Sequence, residues 1–340
     1  MIIRSKAPLR IGLAGGGTDV SPYSDIYGGA ILNATVSLYA YASIKPTSDG
    51  KIVLNAIDRN ERIVLNSEEY LAIDGVLNLL KGVYNRIVKD FIHKPLSFEL
   101  NTYVDAPPGS GLGSSSTLVV AIVGAFVEWL KLPLGEYDIA HLAYSIERED
   151  LKMAGGKQDQ YAATFGGVNY MEFYNNDKVI VNPLRIKTKF LQELEHNLVL
   201  FYTQTSRLSS EIIKQQTDNV NANKESSIGA MHQLKEQSLL MKEAILKGEV
   251  DSIGKILHDG WEHKKLMAEG ISNPSIDAIY AAALSAGATG GKISGAGGGG
   301  FMIFYAPYIH KYQLIKELSS FGGSVMNYNL TTEGLTTWTV

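Results

Sequence analysis

The stretch Pro107-Pro-Gly-Ser-Gly-Leu-Gly-Ser-Ser-Ser116 carries three glycines and four serines and runs into an apolar segment of helical character. A loop that opens onto a helix aims several backbone N–H groups at one point. The helix dipole adds positive potential there, so the arrangement suits an anion, above all a phosphate. Only small side chains let such an anion approach the backbone, which is why glycine and serine suit the task. On these residues alone, an ordinary turn capped by Ser114 is the competing reading. Two other phosphate motifs are excluded. No Gly-x4-Gly-Lys-Ser/Thr occurs, and Gly111-x-Gly113-x-x-Ser116 has a serine where a dinucleotide fingerprint needs glycine. A literal Gly-x-Gly-x-x-Gly at Gly295–Gly300 leads into Phe301-Met-Ile-Phe-Tyr305, which reads as a strand, whereas that fingerprint must open a helix.

The elements that must position this loop follow from periodicity. Residues 36–44 and 52–57 are rich in β-branched and aromatic residues, and residues 96–104 alternate with period two, so all three read as strands. A helix over 115–131 is apolar on most of its surface and must be buried. A second helix runs over about 137–152, with Ile139, Leu142 and Ile146 on its inner face. Gly155-Gly156 breaks it, and a short helix restarts over 157–164. A strand over 197–203 precedes polar helices between 209 and 270. The end reads helix (275–286), glycine-rich loop, strand (300–305), helix (308–320) and strand (324–328). Strands and helices mix without regular alternation, which predicts an α+β fold, divided into an N-terminal domain over 1–190 and a C-terminal domain over 191–340.

Composition narrows the function. The 340 residues carry a net charge of −4, which argues against general nucleic-acid binding. With no cysteine there are neither disulfides nor thiolate metal sites. The first residues lack the apolar core of a signal peptide, and no run of about 18 apolar residues exists to span a membrane. A cytoplasmic protein without membrane or nucleic-acid partners is the expectation. His258 and His263 stand five apart, off-register for a helical metal pair.

Three glycine-rich segments lie far apart: Pro8-Leu-Arg-Ile-Gly-Leu-Ala-Gly-Gly-Gly-Thr-Asp19, Pro107–Ser116, and Lys292-Ile-Ser-Gly-Ala-Gly-Gly-Gly-Gly300. Together they resemble the three motifs of the GHMP kinase superfamily, and the middle one fits that family's Pro-x3-Gly-Leu-Gly-Ser-Ser pattern without a gap. The resemblance spans nearly the whole chain. Within the superfamily, the run Ala7–Tyr23 with Gly28-Gly29, Asn33-Ala-Thr35 and Gly155-Gly-Lys-Gln-Asp-Gln-Tyr161 is similar to the sugar-kinase branch, in particular the D-glycero-D-manno-heptose 7-phosphate kinases. Fucokinase-type enzymes share a related first motif.

The resemblance implies a two-domain GHMP kinase fold, with a ribosomal-protein-S5-like N-terminal domain, a ferredoxin-like C-terminal domain and the site between them. It implies ATP and Mg²⁺, since phosphoryl transfer needs a nucleotide clamp, a divalent metal, a base or orienting group, and a cation near the migrating charge. Pro107, Gly109, Ser110, Gly111, Leu112, Gly113, Ser114, Ser115 and Ser116 would form the clamp. Ser115 and Glu147 would hold the metal, which keeps phosphate and water ligands besides. Asp159 matches the catalytic aspartate and Arg10 the cation beside it. Without the resemblance, Glu147 reads as a solvated helix charge, Asp159 as a helix-terminal acid and Arg10 as a salt-bridge partner.

On the acceptor side the resemblance implies Arg10, Gly16, Gly17, Thr18 and Asp19, with Gly297 and Gly298 of the third motif closing the site. Asp19 would accept hydrogen bonds from sugar hydroxyls. Gly16-Gly17 stand where galactokinases usually have Glu-His. The space so opened fits a larger, phosphorylated sugar, whose phosphate would need Lys157 or Arg207, each of which also reads as an ordinary surface residue. The implied reaction is ATP-dependent phosphorylation of the anomeric hydroxyl of D-glycero-D-manno-heptose 7-phosphate, toward nucleotide-activated heptose. A fucokinase-type enzyme and a catalytically silent sugar sensor are the alternatives, and a homodimer is compatible with each.

Overall fold

A computed structural model describes residues 1–205 and 209–340. In chain order the first half forms β1 (Ile3–Ala14), a short α1 (Tyr23–Tyr27), β2 (Gly29–Pro46), β3 (Lys51–Ala56), β4 (Glu61–Asn66), α2 (Asn78–Ile87), β5 (Phe98–Val104), α3 (Ser114–Leu130), α4 (Glu136–Ser145), α5 (Gln158–Phe165), β6 (Val168–Phe173) and β7 (Val179–Pro183). The second half forms α6 (Thr188–Asn197), β8 (Leu198–Tyr202), α7 (Ser209–Asn221), α8 (Glu225–Lys247), α9 (Val250–Lys265), α10 (Pro274–Ser285), β9 (Gly290–Ile293), β10 (Phe301–Tyr305), α11 (His310–Leu318), β11 (Ser324–Met326) and β12 (Thr336–Thr339).

The larger sheet runs β12-β1-β2-β5-β3-β4, with β6 and β7 added along the other stretch of β2. The strand expected over 36–44 extends to 18 residues, because β2 pairs with β6 through Gly29–Ala34 and with β5 through Ala40–Pro46. Alternation places Phe98, Leu100 and Val104 of β5, and Ile52 and Leu54 of β3, on the buried face. Helix α3 packs on β1 and β2 and beneath α2, α4 and α5, so its apolar circumference, Leu118 to Phe126, is enclosed on all sides. The rings of Phe98 and Phe126 meet edge-on at 5.4 Å beside Trp129. Truncating Phe126 to Ala would remove that contact and leave a cavity, at a cost of about 3–5 kcal/mol.

The smaller sheet, β11-β8-β10-β9, is antiparallel throughout. One face, through Leu198, Leu200, Phe301 and Ile303, joins the core of the first half, and the other, through Val199, Phe201, Met302 and Phe304, packs on the second-half helices. The cut expected between residues 190 and 191 falls inside α6, and the end of the chain crosses back. Strand β12 pairs antiparallel with β1, and Ile2 N–H donates to the Val340 carbonyl at 2.8 Å. A contiguous second domain over 191–340 therefore omits one strand that belongs to the first sheet. Its four residues, Thr-Thr-Trp-Thr, are too short to announce their partner.

Candidate active site

Helix α3 begins without a side-chain cap: Gly113 is its N-cap residue at φ +78°, and Ser114 already lies inside the helix. The backbone N–H groups of residues 111–116 find no acceptor among the described residues. Several orphan donors at a helix N-terminus, facing a cleft, form an anion cradle, and the alternative of a turn capped by Ser114 is not what the chain adopts. Gly109, Gly111, Gly113, Ser114, Ser115 and Ser116 line this cleft. Glycine is required at 111 by close approach: at φ +83°, a Cβ would stand 2.3 Å from the Ser294 carbonyl oxygen of the third glycine-rich segment.

Two charged constellations flank the cradle. Arg10, buried on β1, donates from Nε to Asp159 Oδ1 at 2.7 Å and places Nη2 2.6 Å from the same oxygen, while Nη1 donates to the Gly111 carbonyl at 2.7 Å. Asp159, in the first turn of α5, keeps 21% of its side chain exposed to the cleft. Its Cγ lies 3.0 Å from where a Gly113 Cβ would be, so carboxylate and cradle are neighbours. On the other side the helix after Ser145 loosens into a π-type turn, Ile146–Asp150, which turns Glu147 wholly inward. Ser115 Oγ donates to Glu147 Oε1 at 3.3 Å, and Gln160 Nε2 donates to Oε2 at 2.5 Å. Glu147 is therefore not a solvated helix charge. The nearest cation is Arg148, whose Nη1 is 3.8 Å from Oε1. A hydroxyl and a carboxylate are the hard oxygen donors Mg²⁺ takes, and they suffice where phosphates and water complete the shell. No cluster of three or more His, Cys, Asp or Glu side chains able to hold a metal occurs among the described residues.

Asp19, also buried, ends the first glycine-rich turn. It accepts from the Gln158 backbone N–H at 3.1 Å and from Gln158 Nε2 at 3.3 Å. Burial pushes its carboxyl above the ordinary value, against the pull of the Gln158 N–H. Beneath the same turn lie two lysines. Lys264 of α9 is buried, donates among the described residues only to the Gly16 carbonyl at 3.4 Å, and is pushed down to about 8 by burial. Lys292 of β9 is buried beside it and is pushed well down by burial, and further by Lys264 and Arg10.

Several expected residues fall elsewhere. Lys157 is buried away from the cleft between Asp177, at 2.7 Å, and Asp25, at 3.8 Å, so its charge is already spent. Arg207 lies outside the described residues. Ser110 is fully buried; its carbonyl accepts from Phe301 N–H at 2.8 Å and ties the loop to the smaller sheet instead of facing the cleft. Leu112 is buried too, with its carbonyl accepting from Arg10 N–H, and Pro108 lines the cleft where Pro107 does not. The Thr18 hydroxyl donates to the Gly15 and Ala30 carbonyls and shapes the turn from inside. Gly17 faces the cleft, while Gly16 sits over the two lysines. Gly297 and Gly298 pack on Ile271, and Gly295 and Ala296 take the cleft wall instead. Sequence reasoning missed Lys264, Lys292, Gln158 and Gln216. Lys264 had a signal: it follows Leu257 and Trp261 on the inner face of α9, where a lysine has no place unless it has a task.

The chain matches two family models, "GHMP kinases N terminal domain" over residues 78–167 and "GHMP kinases C terminal" over residues 241–325. It is 50% identical over 338 residues to a D-glycero-alpha-D-manno-heptose 7-phosphate kinase of Campylobacter jejuni, covering 99% of each chain. It is 27% identical to an L-fucokinase/L-fucose-1-P guanylyltransferase of Bacteroides fragilis, over 90% of this chain and 34% of that protein. The solved structure of a D-glycero-D-manno-heptose 1-phosphate kinase from Bacteroides thetaiotaomicron superposes with a TM-score of 0.86 at 47% identity, covering 99% of both chains.

Proposed function

This chain belongs to the GHMP kinases, and we propose that it transfers the γ-phosphoryl group of ATP to the anomeric hydroxyl of D-glycero-D-manno-heptose 7-phosphate. The observation that carries the acceptor is the identity of 50% over 99% of the chain to a heptose 7-phosphate kinase, against 27% over 34% of the length of an L-fucokinase/L-fucose-1-P guanylyltransferase. The donor reading rests on the uncapped N-terminus of α3 beside the hydrogen bond from half-buried Ser115 to buried Glu147.

In this reading the N–H groups of residues 111–116 bind the triphosphate. Ser115 and Glu147 would hold Mg²⁺, which supplies charge neutralisation to the phosphate oxygens when bound. Asp19 accepts hydrogen bonds from the sugar and fixes its position. Asp159 takes the proton of the anomeric hydroxyl as that oxygen forms its bond to the γ-phosphorus, and the bond to the β,γ-bridging oxygen breaks with its electron pair leaving on ADP. Such a base or orienting group contributes about 10²–10⁴-fold. Arg10 holds Asp159 through two nitrogens and brings positive charge to where negative charge develops.

The test is ADP release over a panel of heptose 7-phosphate, unphosphorylated heptose, fucose, galactose and mannose. The reading predicts a kcat/KM for heptose 7-phosphate at least about 100-fold above that for the unphosphorylated sugar, because a site built for a phosphate leaves its donors unpaired without one. Preference for fucose would overturn the acceptor and leave the kinase.

A further inference from the structure

Two buried lysines lie under the first glycine-rich turn, and the one acceptor recorded for the pair among the described residues is the Gly16 carbonyl, 3.4 Å from Lys264 Nζ. A Cβ on Gly16 would lie 3.8 Å from both Lys264 Nζ and Lys292 Nζ, so the two ammonium groups are near neighbours. Both side chains are more than nine-tenths buried. Neither makes an ion pair with a carboxylate among the described residues, and the charges acting on Lys292 are the like charges of Lys264 and Arg10. One residue along, a Cβ on Gly17 would lie 3.7 Å from Gln216 Oε1; Gln216 lines the cleft, is buried, and its Nε2 has no partner among the described residues. Burying one unpaired charge is costly, and burying two of the same sign together costs more. A protein keeps such a pair where a ligand brings the compensating charge.

We propose that Lys264, Lys292 and Gln216 form the subsite for the phosphate monoester that the acceptor sugar already carries. This rests on the reading that the acceptor is a phosphorylated sugar, and it replaces Lys157, which two carboxylates already neutralise. The location favours the sugar's phosphate over the nucleotide's. Lys292 Nζ lies 4.0 Å from a Gly12 Cβ, and Gly12 is two positions beyond Arg10 on the same strand face. That is about 7 Å further along β1 from the Arg10–Asp159 pair, on the side of Asp19 and away from the α3 N-terminus. A seven-carbon sugar with its anomeric oxygen at Asp159 and its hydroxyls at Asp19 extends its far end in this direction. The charged groups facing the pair are Arg10 from β1, Asp19 from the following turn and, through Arg10, Asp159 from α5.

The test is calorimetric titration of the nucleotide-free wild type, Lys264→Met and Lys292→Met with heptose 7-phosphate, unphosphorylated heptose and MgATP, each in turn. Each substitution is expected to weaken heptose 7-phosphate by about 10- to 100-fold, the loss of a charge-assisted hydrogen bond. Unphosphorylated heptose and MgATP should change by less than about 3-fold on the same scale. Unchanged affinity for heptose 7-phosphate overturns the subsite, and a loss of MgATP affinity in step assigns the lysines to the nucleotide. Wild type supplies a measurement that no folding defect can cloud. At pH 8, titrations in buffers of different ionisation enthalpy should show protons taken up with heptose 7-phosphate and none with heptose, since Lys264, pushed down to about 8 by burial, recharges against a dianion. Absence of uptake overturns the proposal. If the wild type prefers an unphosphorylated acceptor, the functional reading fails. Inorganic phosphate then decides the subsite alone: binding that both substitutions abolish supports it, and binding they leave intact rejects it.

Discussion

Replacing Lys264 with methionine should stabilise the ligand-free protein at neutral pH. Lys264 is buried, and its ammonium is pushed from 10.5 to about 8, chiefly by burial, with Asp19 opposing and Arg10 reinforcing the shift. At about 1.36 kcal/mol per unit, the gap corresponds to about 3 kcal/mol against the folded state. The sign follows from proton counting. Below pH 8 both folded and unfolded chains carry the proton, and the full penalty is present. Between about 8 and 10.5 the folded chain sheds the proton while the unfolded chain keeps it, so stability rises with pH. Above that window the penalty is gone. Methionine keeps the length of the side chain without the charge; it loses the 3.4 Å bond to the Gly16 carbonyl, worth about 1 kcal/mol. The net expectation is a gain of about 1–3 kcal/mol at pH 7 that shrinks toward zero near pH 10. Urea unfolding of both proteins at pH 7, 8.5 and 10 measures it. A variant less stable than wild type at pH 7, or a difference that does not change with pH, would refute the claim that Lys264 is a buried charge awaiting a partner.

Asp159→Asn should still bind MgATP but lose about 10²–10⁴-fold in kcat, with some loss of stability because Arg10 keeps its hydrogen bonds but not its counter-charge; pre-steady-state single turnover separates the two. An Asn variant turning over like wild type would leave Asp159 only an ion-pair role. Ser115→Ala and Glu147→Gln should each raise the Mg²⁺ concentration needed for half-maximal rate, read from initial rates across a Mg²⁺ series, and wild-type dependence in both would remove the metal assignment. Gly156→Ala puts a Cβ 1.9 Å from Asp19 Oδ2, so Asp19 must move. The KM for the sugar should rise by about tenfold or more while the KM for ATP stays near wild type, as expected when one substrate's binding interaction is lost.

How much of this was legible in the sequence divides along physical lines. The cradle was readable because backbone recognition of phosphate demands small residues at fixed spacing, and the pairing of Arg10 with Asp159 was implied by the resemblance to the GHMP kinases. Helix α3 was readable from its unbroken apolar surface. Lys157 was misassigned because a linear reading cannot see Asp25 and Asp177, 132 and 20 positions away, arriving at its ammonium. Ser110 looked like the serines after Gly113, yet it turns inward because its carbonyl is needed by Phe301 at the seam between the sheets. Only the resemblance pointed Glu147 toward the site, since its neighbours Arg148, Glu149 and Asp150 read as a solvated face; it lies buried in the π-type turn, and no residue type announces that turn. Lys264 and Lys292 lie apart in sequence and acquire meaning only where α9 and β9 meet under Gly16.

The most direct measurement is phosphorus NMR of the product formed from heptose 7-phosphate and MgATP by the wild-type protein. The account predicts ADP together with a sugar that keeps its 7-phosphate and gains a second ester on the anomeric carbon, seen as a new resonance coupled to the anomeric proton. A second ester on any other carbon, or no new ester at all while fucose is phosphorylated under the same conditions, would contradict it.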